Sequence, residues 1–470
     1  MNNSFRGLRI LPAGMTALGL VAGSLILSPT ASAQTLMEAL ATAYSTNPEL
    51  QSARAQLQRI DEGVPQALSD WRPNVVLSAD LEREYTHNNT RTTTNRDQWR
   101  SPRNSTLTVT QPLFRGFRTV AGVAGAEADV LGQRASLIGS EQDILLSAAT
   151  AYMAVVRDQA VLELNRNNLE VLRRQLEATQ DRFRVGEITR TDVSQAEARV
   201  AGATASVIQA EGNLKTSQAN YENIVGEKPG SLTAPTPLNS LPSNLQEVLE
   251  LAGTKHPDVI QAQQAEKAAD EDVKSKRGEL YPALNLVGTL SRFWESTGND
   301  SQITTGEVRL DLSVPIYQQG AVFSELRAAK LNAGKTRLDY AVTRRDRLEA
   351  AQSAWESLES ARAQTKSFTA QIEAAEIALE GVRREAEVGS RTVLDVLDAE
   401  QELLDAKVNL VRAQRNEVVT GFQVMETTGQ LTAATLALPV DVYDPTAYYK
   451  SVRGKLFGAG VPAAGKPVKP

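Results

Sequence analysis

Asp395 and Asp398 stand three residues apart in the run Thr392-Val393-Leu394-Asp395-Val396-Leu397-Asp398-Ala399. That spacing puts both carboxylates on one face of a helix. Asp395 lies about a turn after Thr392, near the positive end of the helix dipole. Set around a symmetry axis, such a face would form rings of negative charge. Rings of this kind favour cations, bind multivalent cations and focus the field where a pore is narrow. Without a pore, the same pair is an ordinary acidic first turn of a helix. Other chemistry is poorly supplied. The chain has two histidines and no cysteine. It shows no nucleophile paired with a base, no metal-ligand cluster and no phosphate loop, so neither an enzyme nor a cofactor is expected. His87 sits in a polar stretch and reads as loop surface. His256 precedes Pro257 at a helix-helix turn and reads as structural. The net charge of −6 has both signs interspersed and no basic block, which argues against nucleic acid as a partner.

The elements that would carry the two aspartates are long helices. From Thr119 to Arg184 there is no proline, and Ala, Glu, Gln, Arg and Leu prevail. The pattern predicts a helix over this whole segment, about 100 Å long. A break at Val185-Gly186-Glu187 precedes a second helix from Thr191 to Val225. The same order returns as Ala321 to Glu387, a break at Val388-Gly389-Ser390, and a helix from Thr392 to Thr428. Leu162, Leu169, Leu172, Leu176 and Phe183 recur at coiled-coil spacings, as do Ile372, Ala375, Leu379 and Val382. Helices alone would leave a plain structural coiled coil equally open.

Alternating segments decide against that. Val75, Leu77, Ala79 and Leu81 alternate with polar residues, Val76 excepted. From Ser105 to Gln111, Leu107 and Val109 alternate with threonines. Leu284, Leu286 and Leu290 form a third set. Val308, Leu310, Leu312 and Val314 form a fourth, opposite Glu307, Arg309, Asp311 and Ser313. Period-two alternation predicts strands with one apolar and one polar face, long enough to cross a bilayer when tilted. Thr86–Asn104 and Glu295–Thr305 read as polar exposed loops. Beyond the N-terminal leader no apolar run approaches 18 residues, so membrane entry would be by strands. Four strands per chain cannot close a bilayer barrel by themselves. Several chains must share one, and counting alone leaves two, three or four open.

The order of parts occurs twice. Asn47-Pro48 returns as His256-Pro257 and Arg72-Pro73 as Tyr281-Pro282, while Gln111-Pro112-Leu113-Phe114 matches Val314-Pro315-Ile316-Tyr317. The reading divides the chain into a signal peptide (1–33), a first helix-strand-strand-helix repeat (34–226), a linker (227–244), a second repeat (245–429) and a C-terminal segment (430–470) whose end is expected to be disordered. The leader carries Arg6 and Arg9, an apolar run from Ile10 to Leu27, and Ala31-Ser32-Ala33 as a cleavage site.

Three motifs together carry a resemblance: Gln111-Pro112-Leu113-Phe114-Arg115-Gly116, Arg182-Phe183-Arg184-Val185-Gly186 before Thr191-Asp192-Val193, and Val388-Gly389-Ser390-Arg391-Thr392-Val393-Leu394-Asp395. The chain resembles the TolC family of trimeric outer-membrane channels of Gram-negative export systems, from Leu36 to Gly429. The missing cysteine sets it apart from lipid-anchored relatives. The resemblance implies a homotrimer with a twelve-stranded barrel in outer-membrane lipid, continuous with a periplasmic helical tunnel. It implies an outer-membrane and periplasmic location, a periplasmic adaptor (membrane fusion) protein, and an inner-membrane transporter, either ABC or proton-driven. It places a gate at Asp395 and Asp398. Links between helices fall at Thr191, Asp192 and Arg391, with Arg391 reaching Thr191 of a neighbouring protomer. The adaptor docks at the tips Val185, Gly186, Val388 and Gly389. The chain departs from the pattern at Ala386, where the family has an aromatic hydroxyl facing the position of Asp192; Arg384 or Arg391 is left to serve that aspartate.

Overall fold

Each half of the chain threads short helices, then strands, then two long helices. The computed structural model describes residues 34–87, 97–235, 241–298 and 300–461. The expected signal peptide and the last nine residues of the expected disordered end lie outside the described residues. The first half holds α1 (Leu36–Thr46), α2 (Pro48–Asp61), α3 (Gly63–Ser69), β1 (Asn74–Leu81), β2 (Glu84–His87), β3 (Asp97–Arg100), β4 (Arg103–Arg115), α4 (Arg118–Arg184) and α5 (Arg190–Val225). The second holds α6 (Leu245–Lys255), α7 (Pro257–Gly278), β5 (Ala283–Trp294), β6 (Gln302–Ser313), α8 (Ala321–Glu387) and α9 (Val393–Thr427), with α10 (Ala447–Val452) after it. No helix among the described residues is long and apolar enough to cross a membrane.

Local chemistry sets the boundaries. Asn47 ends α1 and caps α2, its side chain accepting the Glu49 amide at 2.8 Å, with Pro48 opening the helix. His256 holds the matching place in the second half. Its Nδ1 accepts the Asp258 amide at 3.1 Å, so its role is a buried cap. Strand passes to helix through paired left-handed residues, Gly116-Phe117 and Gln319-Gly320. At Gly116 a β-carbon would lie 2.2 Å from the Gly278 carbonyl oxygen. Glycine is required there both for its backbone angle and for the close approach of the two halves.

The main sheet runs β1-β4-β5-β6, all antiparallel. One strand from each half meets at β4–β5, and β1 and β6 are the edges. The register aligns the four alternating sets: Leu77 pairs with Leu107, Leu107 with Leu290, Val75 with Val109, and Leu286 with Leu310. All the apolar sets therefore share one face, and that face is exposed, with Leu77 at 71% and Leu310 at 64%. The opposite face is polar and internally bonded. Thr106 and Ser291 hydroxyls meet at 3.0 Å, and Arg309 pairs with Asp311 at 3.0 Å.

Two strand expectations need correction. Part of the expected loop 86–104 is strand: β2 pairs with β3, and His87, expected as loop surface, ends β2. Tyr85 and Trp99 stack across this extension with ring centroids 4.9 Å apart, and such cross-strand aromatic pairs stabilise a hairpin. At the other end β4 continues through Pro112 to Arg115, with a register shift between Pro112 and Phe114. A proline lacks the donor for the ladder, and the irregularity accommodates it.

The largest apolar core lies at mid-length of the long helices. Leu40, Leu50 and Leu57 from the short helices pack on Leu145 and Tyr152 of α4, Tyr221 of α5 and Phe422 of α9. The Tyr152 hydroxyl lies 2.8 Å from the Gln34 carbonyl oxygen and 2.7 Å from that of Thr233, tying the start of the chain and the inter-repeat segment to this core. From this waist α4/α5 and α8/α9 extend as two antiparallel pairs with much lighter, alanine-rich contacts.

Candidate functional site

The far ends of the two helix pairs carry every site residue expected from the sequence. Both turns are built alike. The Glu187 amide donates to the Arg182 carbonyl at 3.0 Å, and the Ser390 amide to the Glu385 carbonyl at 2.9 Å, the six-to-one bond of a Schellman ending. Gly186 and Gly389 have φ of 82° and 77°. A β-carbon on either would meet open space, so backbone angle alone selects glycine. Val185 and Val388 are 78% and 80% exposed. Two unpacked valines at one end form a matched pair of apolar knobs.

The returning helices start with the same device. Thr189 caps α5 in a reciprocal box with Asp192: the Asp192 carboxylate accepts the Thr189 amide at 2.9 Å and its hydroxyl at 2.7 Å. Thr392 caps α9 with Asp395, at 2.9 and 2.8 Å. These bonds hold both carboxyls below the usual carboxylate range. The Thr189 hydroxyl is the larger cause for Asp192, and the Thr392 amide for Asp395. Asp395 is thus a fixed negative charge aimed at its own helix end. The helices begin at Arg190 and Val393, so Thr191 lies in the first turn and Thr392 just before one. Sequence reasoning missed Thr189. Its signal was present as Thr-x-x-Asp, the same spacing as Thr392-x-x-Asp395.

Asp398 is placed differently. Its carboxylate is paired with the Arg199 guanidinium of α5. The pair lies beside a small apolar seam of Leu169, Leu172, Ala203, Val393 and Leu397 that joins the two helix pairs. Arg391 is bonded within its own chain, Nε to the Glu385 carboxylate at 2.9 Å, which keeps its proton more firmly bound. Arg384 pairs with Glu380. Within one chain, then, neither arginine is hydrogen-bonded to Asp192. The half-buried Ala386 lines a cleft of 540 Å³ between the tip of α4 and the α8/α9 turn, together with Arg182, Arg383 and Glu400. Arg383 and Glu400 form an ion pair across α8 and α9. No group of acidic or histidine side chains among the described residues is arranged to hold a metal ion.

Comparison with known proteins gives one consistent result. The sequence profile of the family described as "Outer membrane efflux protein" matches residues 39–227 and 248–430. The chain is 34% identical over 449 residues to the outer membrane efflux protein BepC of Brucella suis biovar 1, covering 95% of this chain and 97% of that relative. It is 26% identical over 426 residues to the outer membrane protein TolC of Escherichia coli K12, covering 85% and 83%. Among solved structures, the outer membrane protein VceC of Vibrio cholerae superposes with a TM-score of 0.73 at 21% identity, covering 84% of this chain and 96% of that one.

Proposed function

The chain belongs to the outer membrane efflux protein family, and from that premise we propose how its parts divide the work of export. It is a channel-tunnel of the outer membrane reaching into the periplasm, through which proteins, small molecules or both leave a Gram-negative cell. It works as a homotrimer, with a periplasmic adaptor and an energised inner-membrane transporter. The observation that carries this reading is the sheet. Its apolar face is exposed, its polar face is internally bonded, and both edge strands lack partners within the described chain. Three copies close those edges into twelve strands, with the apolar face to lipid and the polar face to water. A structural coiled coil without a pore gives no reason for such a face.

In our reading the two repeats, 34–226 and 245–429, act as paired staves joined by the segment 227–244. The helix tips narrow the tunnel. Asp395 and Asp398 supply rings of negative charge there, and Thr191, Asp192 and Arg391 supply links between neighbouring helix pairs. The exposed Val185 and Val388, each beside its glycine, seat the adaptor. The channel itself performs no catalysis; its work is conduction and gating, and the transporter provides the energy. The test is reconstitution of the purified mature chain. We expect a trimer mass in detergent, and conductance in planar bilayers whose cation preference and block by multivalent cations fall when Asp395 and Asp398 are both replaced by alanine. A monomeric, non-conducting protein overturns the reading.

A further inference from the structure

We propose that Arg199 sets the charge of the gate by masking Asp398. The inference rests on the reading of Asp398 as a ring residue. Four observations lead to it. First, Asp395 and Asp398 share a helix face yet differ in partner: Asp395 is bonded to its own cap, whereas Asp398 is paired with a full positive charge. Second, Arg199 belongs to the other helix pair, 199 residues away in sequence. Third, it is the one ion pair among the described residues that joins α4/α5 to α8/α9. The others near the tips stay within a pair, as Arg383–Glu400 and Lys407–Glu376 do. Fourth, both partners remain open to water, with 38% and 57% of their side chains exposed, so an arriving cation reaches the same carboxylate.

The consequence follows from charge. With the two helix pairs in contact, each protomer offers an Asp395 that is capped by Thr392 and acted on by Arg391 without a direct ion pair, and an Asp398 neutralised by Arg199. Motion that separates α5 from α9 breaks the pair and adds one negative charge per protomer to the ring. A multivalent cation competes with the guanidinium for Asp398. Removing the guanidinium should therefore tighten binding by roughly fivefold for each unit of charge on the cation, the effect of two unit charges about 4 Å apart in a water-like medium, and by less where salt screens the site. As a stabiliser of the fold, an exposed pair of this kind contributes little. Arg199 thus acts as a specificity-determining residue.

The experiment uses the full trimer in planar bilayers, with K⁺/Cl⁻ selectivity and block by hexaamminecobalt(III) as readouts. The variants are Arg199→Gln, Arg199→Lys, Asp395→Asn, Asp398→Asn and the double variant Arg199→Gln/Asp398→Asn. The expected result is that Arg199→Gln tightens block severalfold and raises cation selectivity. Arg199→Lys should stay near the parent. Asp398→Asn should weaken block, and Arg199→Gln should add nothing in that background. Two outcomes overturn the proposal while leaving the acidic ring intact: Asp398→Asn weakens block but Arg199→Gln changes nothing, or Arg199→Gln acts equally with and without Asp398, which is a general field effect. If Asp395→Asn and Asp398→Asn both leave block unchanged, the ring reading itself fails, and this proposal with it.

Discussion

Asp61 shows how far one side chain departs from its sequence context. It closes α2 as one acidic residue beside another, Glu62. In the fold it is fully buried, and neither carboxylate oxygen has a hydrogen-bond partner among the described residues. Burial pushes its pKa up to about 6, against a lowering by Arg134 and a further raising by Glu62. The sign is set by the raised value. The folded state binds a proton that the unfolded chain has already lost, so stability is greatest in acid and declines as pH rises through about 6. At pH 8 the buried charge costs up to about 3 kcal/mol, the equivalent of the shift at 1.36 kcal/mol per unit. Asp61→Asn should therefore raise the trimer's Tm at pH 8 and flatten its dependence between pH 8 and pH 5. A parent Tm that does not change over this range would show that the carboxyl is solvated or paired. The surroundings explain the tolerance. Tyr448 of α10 donates to Glu62 at 2.8 Å, and Arg453 pairs with Glu127 at 3.0 Å, fastening the C-terminal segment over this spot.

At the scale of elements, the strands and the long helices follow different physics. A strand in lipid has every backbone group paired along the sheet and one face against hydrocarbon. Leu310 lies on that face, in register with Leu286. Leu310→Arg should cost about 2–4 kcal/mol near the bilayer midplane, read as a lower unfolding midpoint in urea for the vesicle-inserted protein. Arg309→Leu, one residue away on the polar face, should cost far less. A larger cost for Arg309→Leu than for Leu310→Arg would mean the face assignment is reversed. The helices hold together differently. α4 and α8 each run for 67 residues, yet their large buried side chains concentrate at the waist, where Tyr152, Tyr221 and Phe422 meet. Toward the tips the buried positions mix alanine with leucine and valine, Ala196, Ala203 and Ala375 beside Leu169, Leu379 and Leu397, and no aromatic ring is buried there among the described residues. Small side chains bury little apolar area, about 25 cal/mol for each Å², so the tips separate at lower cost than the waist. That gradient suits a structure anchored at its middle and, as proposed, gated at its end.

For the whole molecule, the proposed gate raises the question of which contacts between chains would hold the tips closed. Arg391 is the residue that separates two answers. It was expected to reach Thr191 of a neighbouring protomer, and within its own chain it is bonded to Glu385. Arg391→Ala should raise single-channel conductance if it clamps neighbouring protomers. Arg391→Lys should do so partly, since lysine keeps the charge and loses the planar fork. Glu385→Gln supplies the contrast. It frees Arg391 for the neighbour, so conductance should stay level or fall. If Glu385→Gln opens the channel as much as Arg391→Ala, the intrachain pair holds the turn and the link between protomers is not the lock. The barrel should be indifferent to all three, because about 100 Å of helix separates it from the tips.

What the sequence determined by itself was whatever local rules govern. Helix extent followed from composition and the Val-Gly breaks, because a left-handed glycine ends a helix wherever it stands. Strand faces followed from period two, and the register later confirmed that Leu77, Leu107, Leu290 and the Val308–Leu312 set lie on one side. The acidic first turns were legible for the same reason, although their closure into capping boxes with Thr189 and Thr392 went unread. Tertiary structure decided the rest. The β2–β3 extension depends on Tyr85 meeting Trp99 across a polar stretch that has no strong strand pattern of its own. The pairing of β4 with β5, which joins the two repeats, is a long-range choice that alternation cannot specify. Asp398 and Asp395 look alike in sequence, three residues apart on one face. Only the approach of α5 gives Asp398 a direct ion pair, whereas Asp395 has its own helix cap and only the more distant charge of Arg391. An ion pair between residues 199 positions apart leaves no periodic trace, because electrostatic partners are chosen by where packing brings helices together.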